Sequence, residues 1–241
     1  MTNVDKQIVA MGGGGFSMEP RNKRLDNYIL SLSEKKKPKL WFLPTASGDA
    51  KGYINRFYNA FSKMKCIPVH LSLFKPNFTD LESFVLSQDI LYVGGGNTRN
   101  LMVIWKEWGL DKILKKAYEN GIILSGLSAG SICWFEDGIT DPLNAPLYKL
   151  KCLGLLKVSH CPHYDGEAKR KSAYYQLIKS GKSKPGYAAD DGAALHFVNG
   201  KLKQVISSRP NAKAYKVTIE KQKISESPLP TIYLDKRGKQ N

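Results

Sequence analysis

The apolar positions of this chain fall into two periods. Five short runs are apolar on both faces and end in turn chemistry: "KQIVAMGGGG", "KLWFLPTASGD", "CIPVHLSLF", "DILYVGGGNT" and "GIILSGLS". A strand that is apolar on both faces fits a parallel sheet covered on both sides. Between these runs the apolar spacing becomes helical. Leu25, Ile29 and Leu32 share one face, as do Ile54, Phe57, Phe61 and Met64. "DLESFVLSQ" predicts a shorter helix. "NLMVIWKEWGLDKILKKAYENG" predicts one long helix with Leu101, Ile104, Trp105 and Trp108 on a face and Gly121 at its end. The aromatic stripes on these helices read as core.

Strand–helix alternation over the first 135 or so residues predicts an α/β fold, a mostly parallel sheet flanked by helices. The remainder reads differently. "KCLGLLKVSHCPHYD" is strand-like and "GEAKRKSAYYQLIKSGK" helical. "YAADDGAALHFVNGKLKQVISS" reads as a C-terminal β-hairpin around an Asn-Gly turn. "AKAYKVTIEKQKI" alternates like an edge strand, and the polar, proline-bearing tail after about residue 225 is expected to be loose. No repeat or linker interrupts the chain, so a single domain over 1–241 is expected.

Composition narrows the picture. A hydrophobic fraction of 42% supplies a core, and no apolar run reaches the length of a membrane span. The amino terminus reads as the start of the fold, and a cytoplasmic protein with no membrane partner is expected. The four cysteines lack paired spacing. "HCPH", around Cys161, has no second ligand cluster, so a packed thiol is favoured over zinc and no metal or cofactor is expected. The formal net charge of +16 raises nucleic acid as a partner. The cations are spread along the chain without interleaved aromatics, so a solvated basic surface is favoured.

The glycine-rich turns close the predicted strands, where open α/β sheets bind ligands. "GGGG" and "GGGNT" match neither a dinucleotide fingerprint nor a P-loop. "GLSAG" puts Ser128 on a sharp strand-to-helix turn, the setting of a nucleophile elbow. A serine nucleophile needs a base and a group to orient it. Of the four histidines, His70 and His196 sit in strand-like runs and read as packed imidazoles. His160 and His163 follow the elbow, and His163, after Pro162 at a strand end, is the favoured base. For the acid, Asp141 lies between serine and histidine in chain order, with Asp190 and Asp191 as rivals and Asp165 close to His163 in sequence.

The opening "MGGGGFSMEP", with "VGGGNT", "GLSAGSICWFEDGITD", "CPHYDGE" and "ADDGAAL", resembles peptidase E, the aspartyl dipeptidase family of serine peptidases, over about the first 220 residues. Cyanophycinase is a more distant relative. The resemblance implies a fold similar to class I glutamine amidotransferases, with serine in place of cysteine at the elbow. It implies Ser128 as nucleophile, His163 as base and Asp141 as the acid. Asp191 matches a second acidic position of the family, normally Glu before Gly, and is the alternative. The oxyanion hole would come from Gly95 or Gly96 with Ala129, and Asn97 would line the substrate site. The implied substrates are small peptides with N-terminal aspartate. The loop after His163 is shorter than in the best-known members, so either Lys169 or Arg170 would grip the aspartate, with Arg170 preferred for its planar fork. An amidase, an esterase, a cyanophycinase-like hydrolase and a non-catalytic binding protein are the rival readings. The protein is expected as monomer or homodimer.

Overall fold

The structure, a computed structural model, describes residues 4–239 except 77, 142–145 and 168. Its strands are β1 (Gln7–Met11), β2 (Lys39–Leu43), β3 (Ile67–His70), β4 (Ile90–Val93), β5 (Ile123–Leu127), β6 (Phe135–Thr140), β7 (Tyr148–Lys151), β8 (Leu156–Cys161), β9 (Gly186–Ala189), β10 (Ala193–Val198), β11 (Lys201–Ser207), β12 (Ala214–Glu220), β13 (Lys223–Pro228) and β14 (Thr231–Tyr233). The helices are α1 (Gly15–Met18), α2 (Arg24–Ser31), α3 (Lys51–Phe61), α4 (Leu81–Leu86), α5 (Thr98–Glu107), α6 (Leu110–Glu119), α7 (Ala129–Ile132) and α8 (Arg170–Lys179).

Eight strands form the main sheet in the order β14-β11-β10-β1-β5-β4-β2-β3. The five predicted strands are its parallel half. Their side chains alternate between two cores. Ile8, Ala10, Trp41, Leu43, Leu91, Val93 and Leu124 pack with Leu101, Trp105, Leu110 and Leu114 on one face. Val9, Met11, Leu40, Phe42, Ile90 and Tyr92 pack with Leu25, Ile29, Phe57 and Phe61 on the other. Each of the larger aliphatic and phenyl side chains taken out of water contributes about 1.5–3 kcal/mol. This double burial explains why these runs lack polar alternation. β3, at the edge, is only partly buried.

The Asn199-Gly200 hairpin forms as read, with both residues at positive φ, and extends the main sheet through the antiparallel pairing of β10 with β1. Two expectations are corrected. The long helix is broken at Gly109, whose φ of 67° ends one helix and starts the next. The tail is not loose: β14 pairs with β11, Leu234 is fully buried, and Arg24 Nε donates to the Leu234 carbonyl at 2.8 Å.

A second sheet, β13-β12-β9-β8-β6-β7, was not anticipated. It places β12 inside the sheet, between β13 and β9, and leaves β13 at the edge. The core continues into it through Phe135, Leu156, Ala189 and Ala214. β8 delivers the "SHCPH" segment, and the turn between β9 and β10 delivers Asp190 and Asp191 to the carboxyl end of β1.

Candidate active site

The elbow is built by close backbone approach. A Cβ on Gly126 would lie 2.3 Å from the Gly130 carbonyl oxygen, and one on Gly130 would lie 2.2 Å from that of Val93. Only glycine lets β5, α7 and β4 meet this tightly. The turn forces Ser128 to φ 54° and ψ −118°, a conformation rare for a residue with a side chain. The helix expected after it is a single turn.

Two consecutive carbonyls at the end of β1 bring the chemistry together. Ser128 N–H donates to Met11 at 3.3 Å, and His163 N–H donates to Gly12 at 3.2 Å. His163 is also at positive φ, 53°. Its Nδ1–H donates to Asp191 Oδ1 at 2.6 Å. That bond fixes the tautomer and leaves Nε2 as the basic nitrogen. The same bond holds the Asp191 carboxyl below the ordinary carboxylate range, against the opposing effect of burial. A Cβ on Gly13 would sit 2.0 Å from Asp191 Oδ1, and one on Gly166 would sit 3.0 Å from Oδ2. Asp165 accepts from the Asp191 N–H at 2.8 Å. The carboxylate is thus seated among glycines and aimed at the imidazole.

Asp141, the expected acid, is not on His163. It follows Thr140, whose hydroxyl meets that of Thr98 at 3.2 Å, and its carboxylate lies 3.8 Å from Arg170. β6 ends on the α5 side of the elbow, whereas β10 begins beside β1. Topology therefore gives the histidine a different carboxylate from the one suggested by chain order. Asp190 points away: it accepts from Lys213 N–H and the Tyr215 hydroxyl, and burial pushes its carboxyl up to about 6.

Arg170 is also placed differently from expectation. Its side chain is 6% exposed. Nε and Nη2 donate to the two oxygens of Glu167 at 2.7 and 3.0 Å, and Nη1 donates to the Ile139 carbonyl at 3.0 Å. A guanidinium so engaged is a structural strut. Lys169 is exposed.

The other three histidines are packed. His160 is fully buried and stacked on Phe135 at 4.5 Å. Its Nδ1–H donates to the Tyr187 carbonyl at 3.2 Å, and Nε2 faces Ser131 Oγ at 3.1 Å. The Ser131 hydroxyl also lies 2.8 Å from the Ser128 carbonyl, so His160 backs the elbow. Burial pushes it down to about 3 and keeps it neutral. His70 and His196 are bonded to Tyr58 and Tyr28.

Across the elbow, a Cβ on Gly95 would come within 3.3 Å of Ser128 Cβ. Gly95 N–H donates to the Tyr53 hydroxyl at 3.2 Å. Gly96, at φ 139°, is pressed against the Ala46 carbonyl, and its N–H has no acceptor among the described residues. Ala129 N–H is the first of α7, where no intrahelical acceptor exists. Asn97 caps α5 by accepting from Asn100 N–H at 2.9 Å. Arg209, just past β11, also reaches this end of the sheet, against Gly192, and no sequence motif marked it.

An elbow serine at the carboxyl end of a parallel sheet, beside a carboxylate-bound histidine, defines a hydrolase-type site. Residues 8–205 match peptidase family S51, and the chain belongs to that family. It is therefore a peptidase. It is 60% identical over 229 residues to peptidase YgaJ of Bacillus subtilis (strain 168), itself uncharacterized, covering 95% of this chain and 99% of the relative. Among solved structures it is similar to a peptidase from an acI-B1 actinobacterium, with TM-score 0.70 and 18% identity over 95% of this chain and 96% of the other. It is also similar to a candidate peptidase E protein of Listeria monocytogenes EGD-e, with TM-score 0.59 and 18% identity over 86% and 99% of the two chains. These likenesses establish the α/β fold of peptidase E structures. No helix among the described residues is long and apolar enough to cross a membrane.

Proposed function

We propose that the protein is a serine exopeptidase acting on small peptides through an acyl-enzyme on Ser128. The observation that carries this reading is the 2.6 Å bond between His163 and Asp191, held on the same strand end as the strained serine. His163 Nε2 takes the Ser128 proton as Oγ attacks the scissile carbonyl. The amide of Ala129 and that of Gly96 hold the oxyanion, each worth roughly 3 kcal/mol. Gly95 N–H is the weaker candidate, because Tyr53 already engages it. The imidazolium, stabilised by Asp191, returns its proton to the leaving amine. Water then releases the acyl group by the reverse sequence.

The family resemblance makes dipeptides with N-terminal aspartate the first substrates to try. Arg170 does not support that preference, since Glu167 and Ile139 engage its guanidinium. The test is release of the N-terminal residue from a panel of X-Leu dipeptides, Asp-Leu included, by wild type and Ser128→Ala. Cleavage abolished by Ser128→Ala supports the reading, and the best residue at X defines the preference. Wild-type cleavage that survives Ser128→Ala would refute the acyl-enzyme. If no peptide is cut, the amidase and binding-protein readings take its place.

A further inference from the structure

With the Arg170 guanidinium engaged by Glu167 and Ile139, the exposed cation at this end of the sheet comes from another element. β11 is antiparallel to β10, which is antiparallel to β1, so β11 ends at the catalytic end of the sheet. There Ser208 N–H donates to the Gly192 carbonyl at 2.8 Å, next to Asp191. The Arg209 side chain lies flat across Gly192. A Cβ on that glycine, at φ 83°, would be 2.8 Å from Arg209 Cγ and 2.9 Å from Cδ. Glu19, from the "MGGGGFSMEP" segment, accepts from Arg209 Nε and from the Ser208 hydroxyl, each at 2.6 Å. Its carboxylate is 11% exposed, so this anchor is largely buried.

Only Nε is engaged. Among the described residues the two terminal nitrogens of Arg209 have no partner, and the side chain is 42% exposed. The charge also acts on the catalytic end, since Arg209 helps hold the Asp191 carboxyl down. A half-exposed guanidinium pinned at Nε is a ready two-pronged receptor for a carboxylate.

We propose that Arg209 recognises a carboxylate of the peptide substrate, making this end of the site selective for short anionic peptides. The inference rests on the serine-peptidase reading. Two sources share this chemistry: the free C-terminus of a dipeptide and an acidic side chain.

Four peptides separate them: Asp-Leu, Asn-Leu, Asp-Leu-amide and Asn-Leu-amide. Their binding to Ser128→Ala is measured by calorimetry, with and without Arg209→Gln. Their hydrolysis is measured with Ser128 intact. Arg209→Gln is expected to cost tenfold or more in affinity and in kcat/KM on the peptide carrying the gripped carboxylate, relative to its neutral counterpart. Arg209→Lys, which keeps the charge without the fork, should fall between. A loss that follows the amide places Arg209 at the C-terminus; a loss that follows Asn places it at the side chain. Equal binding of all four peptides, or an equal loss on all four in both variants, would overturn the proposal. Active Ser128 with no carboxylate dependence sinks the Arg209 assignment alone. A wild-type enzyme that binds the peptides but cuts none sinks the acyl-enzyme reading alone.

Discussion

At the scale of single residues, the account depends on which acid serves His163. Asp191 and Asp141 differ in what they touch: an imidazole in one case, a buried guanidinium in the other. Asp191→Asn would turn the imidazole to the wrong tautomer and is expected to lower kcat by about 10⁴. Asp141→Asn should cost far less than that. Steady-state kinetics on any accepted peptide checks the pair, and the opposite ranking would return the role to Asp141. The sharp turn at Ser128 and the strand end before His163 were legible because both leave local signatures. The carboxylate that meets His163 was legible only as a choice between Asp141 and Asp191. Asp191 reaches His163 by β10 pairing with β1, a contact far apart in sequence, while Asp141 merely had the familiar place in chain order. Arg170 misled in the same way. An arginine near the histidine looked available, and only its bonds to Glu167 show that it is not.

Among the elements, the elbow is a packing problem before it is a chemical one. Gly130→Ala would drive a methyl to 2.2 Å from the Val93 carbonyl, so it should destabilise the protein by at least about 2 kcal/mol and displace Ser128. Denaturant unfolding together with kcat checks both effects. A stable, fully active variant would contradict the close approach. The glycine loop after β1 has a second support in Asp26 of α2. Asp26 is buried beside the Tyr92 hydroxyl, and burial pushes its carboxyl up to about 7. The unfolded chain binds this proton only below the ordinary carboxylate value, so the folded state binds more protons between about 4 and 7. The stability from Asp26 is therefore full at low pH and is lost as pH rises through that window. Asp26→Asn should flatten the fall, which is of the order of a few kcal/mol, in unfolding free energies measured from pH 4 to 7. An unchanged pH profile would contradict a buried, protonated Asp26. Element types were largely legible wherever one period ran cleanly, as in the doubly buried β1, β2, β4 and β5. The break at Gly109 was not, because the apolar period continues through it and only the positive φ ends the helix.

For the molecule as a whole, the tail and the second sheet change the picture most. Leu234 is fully buried and β14 closes the edge of the main sheet beyond β11. Glu226 on β13 accepts from Tyr164, next to His163, and from Tyr175 and Lys171 of α8. The C-terminal strands thus join both sheets, and β13 holds the loop that carries His163. Polar composition alone hides this, since β13 and β14 are short edge strands with few apolar residues. Deleting residues 230–241 should cost at least about 2 kcal/mol, the scale set by Leu234 alone, and should lower the thermal midpoint. An unchanged midpoint would mean that the tail is not part of the fold. The surface ion pairs, such as Lys6–Glu119 and Lys35–Asp89, are screened by water and contribute little. Apolar burial in the two sheets, rather than charge pairing, accounts for the stability.

The central claim is that Ser128 is activated by a histidine oriented by Asp191. It can be tested without knowing the substrate. The protein is treated with a fluorophosphonate, which phosphonylates activated serines, and its intact mass is followed over time. One adduct is expected on wild type, mapped to Ser128 by peptide fragmentation. It should be absent in Ser128→Ala, strongly slowed in Asp191→Asn and little changed in Asp141→Asn. An unmodified wild-type protein, or labelling slowed by Asp141→Asn and not by Asp191→Asn, would contradict the account.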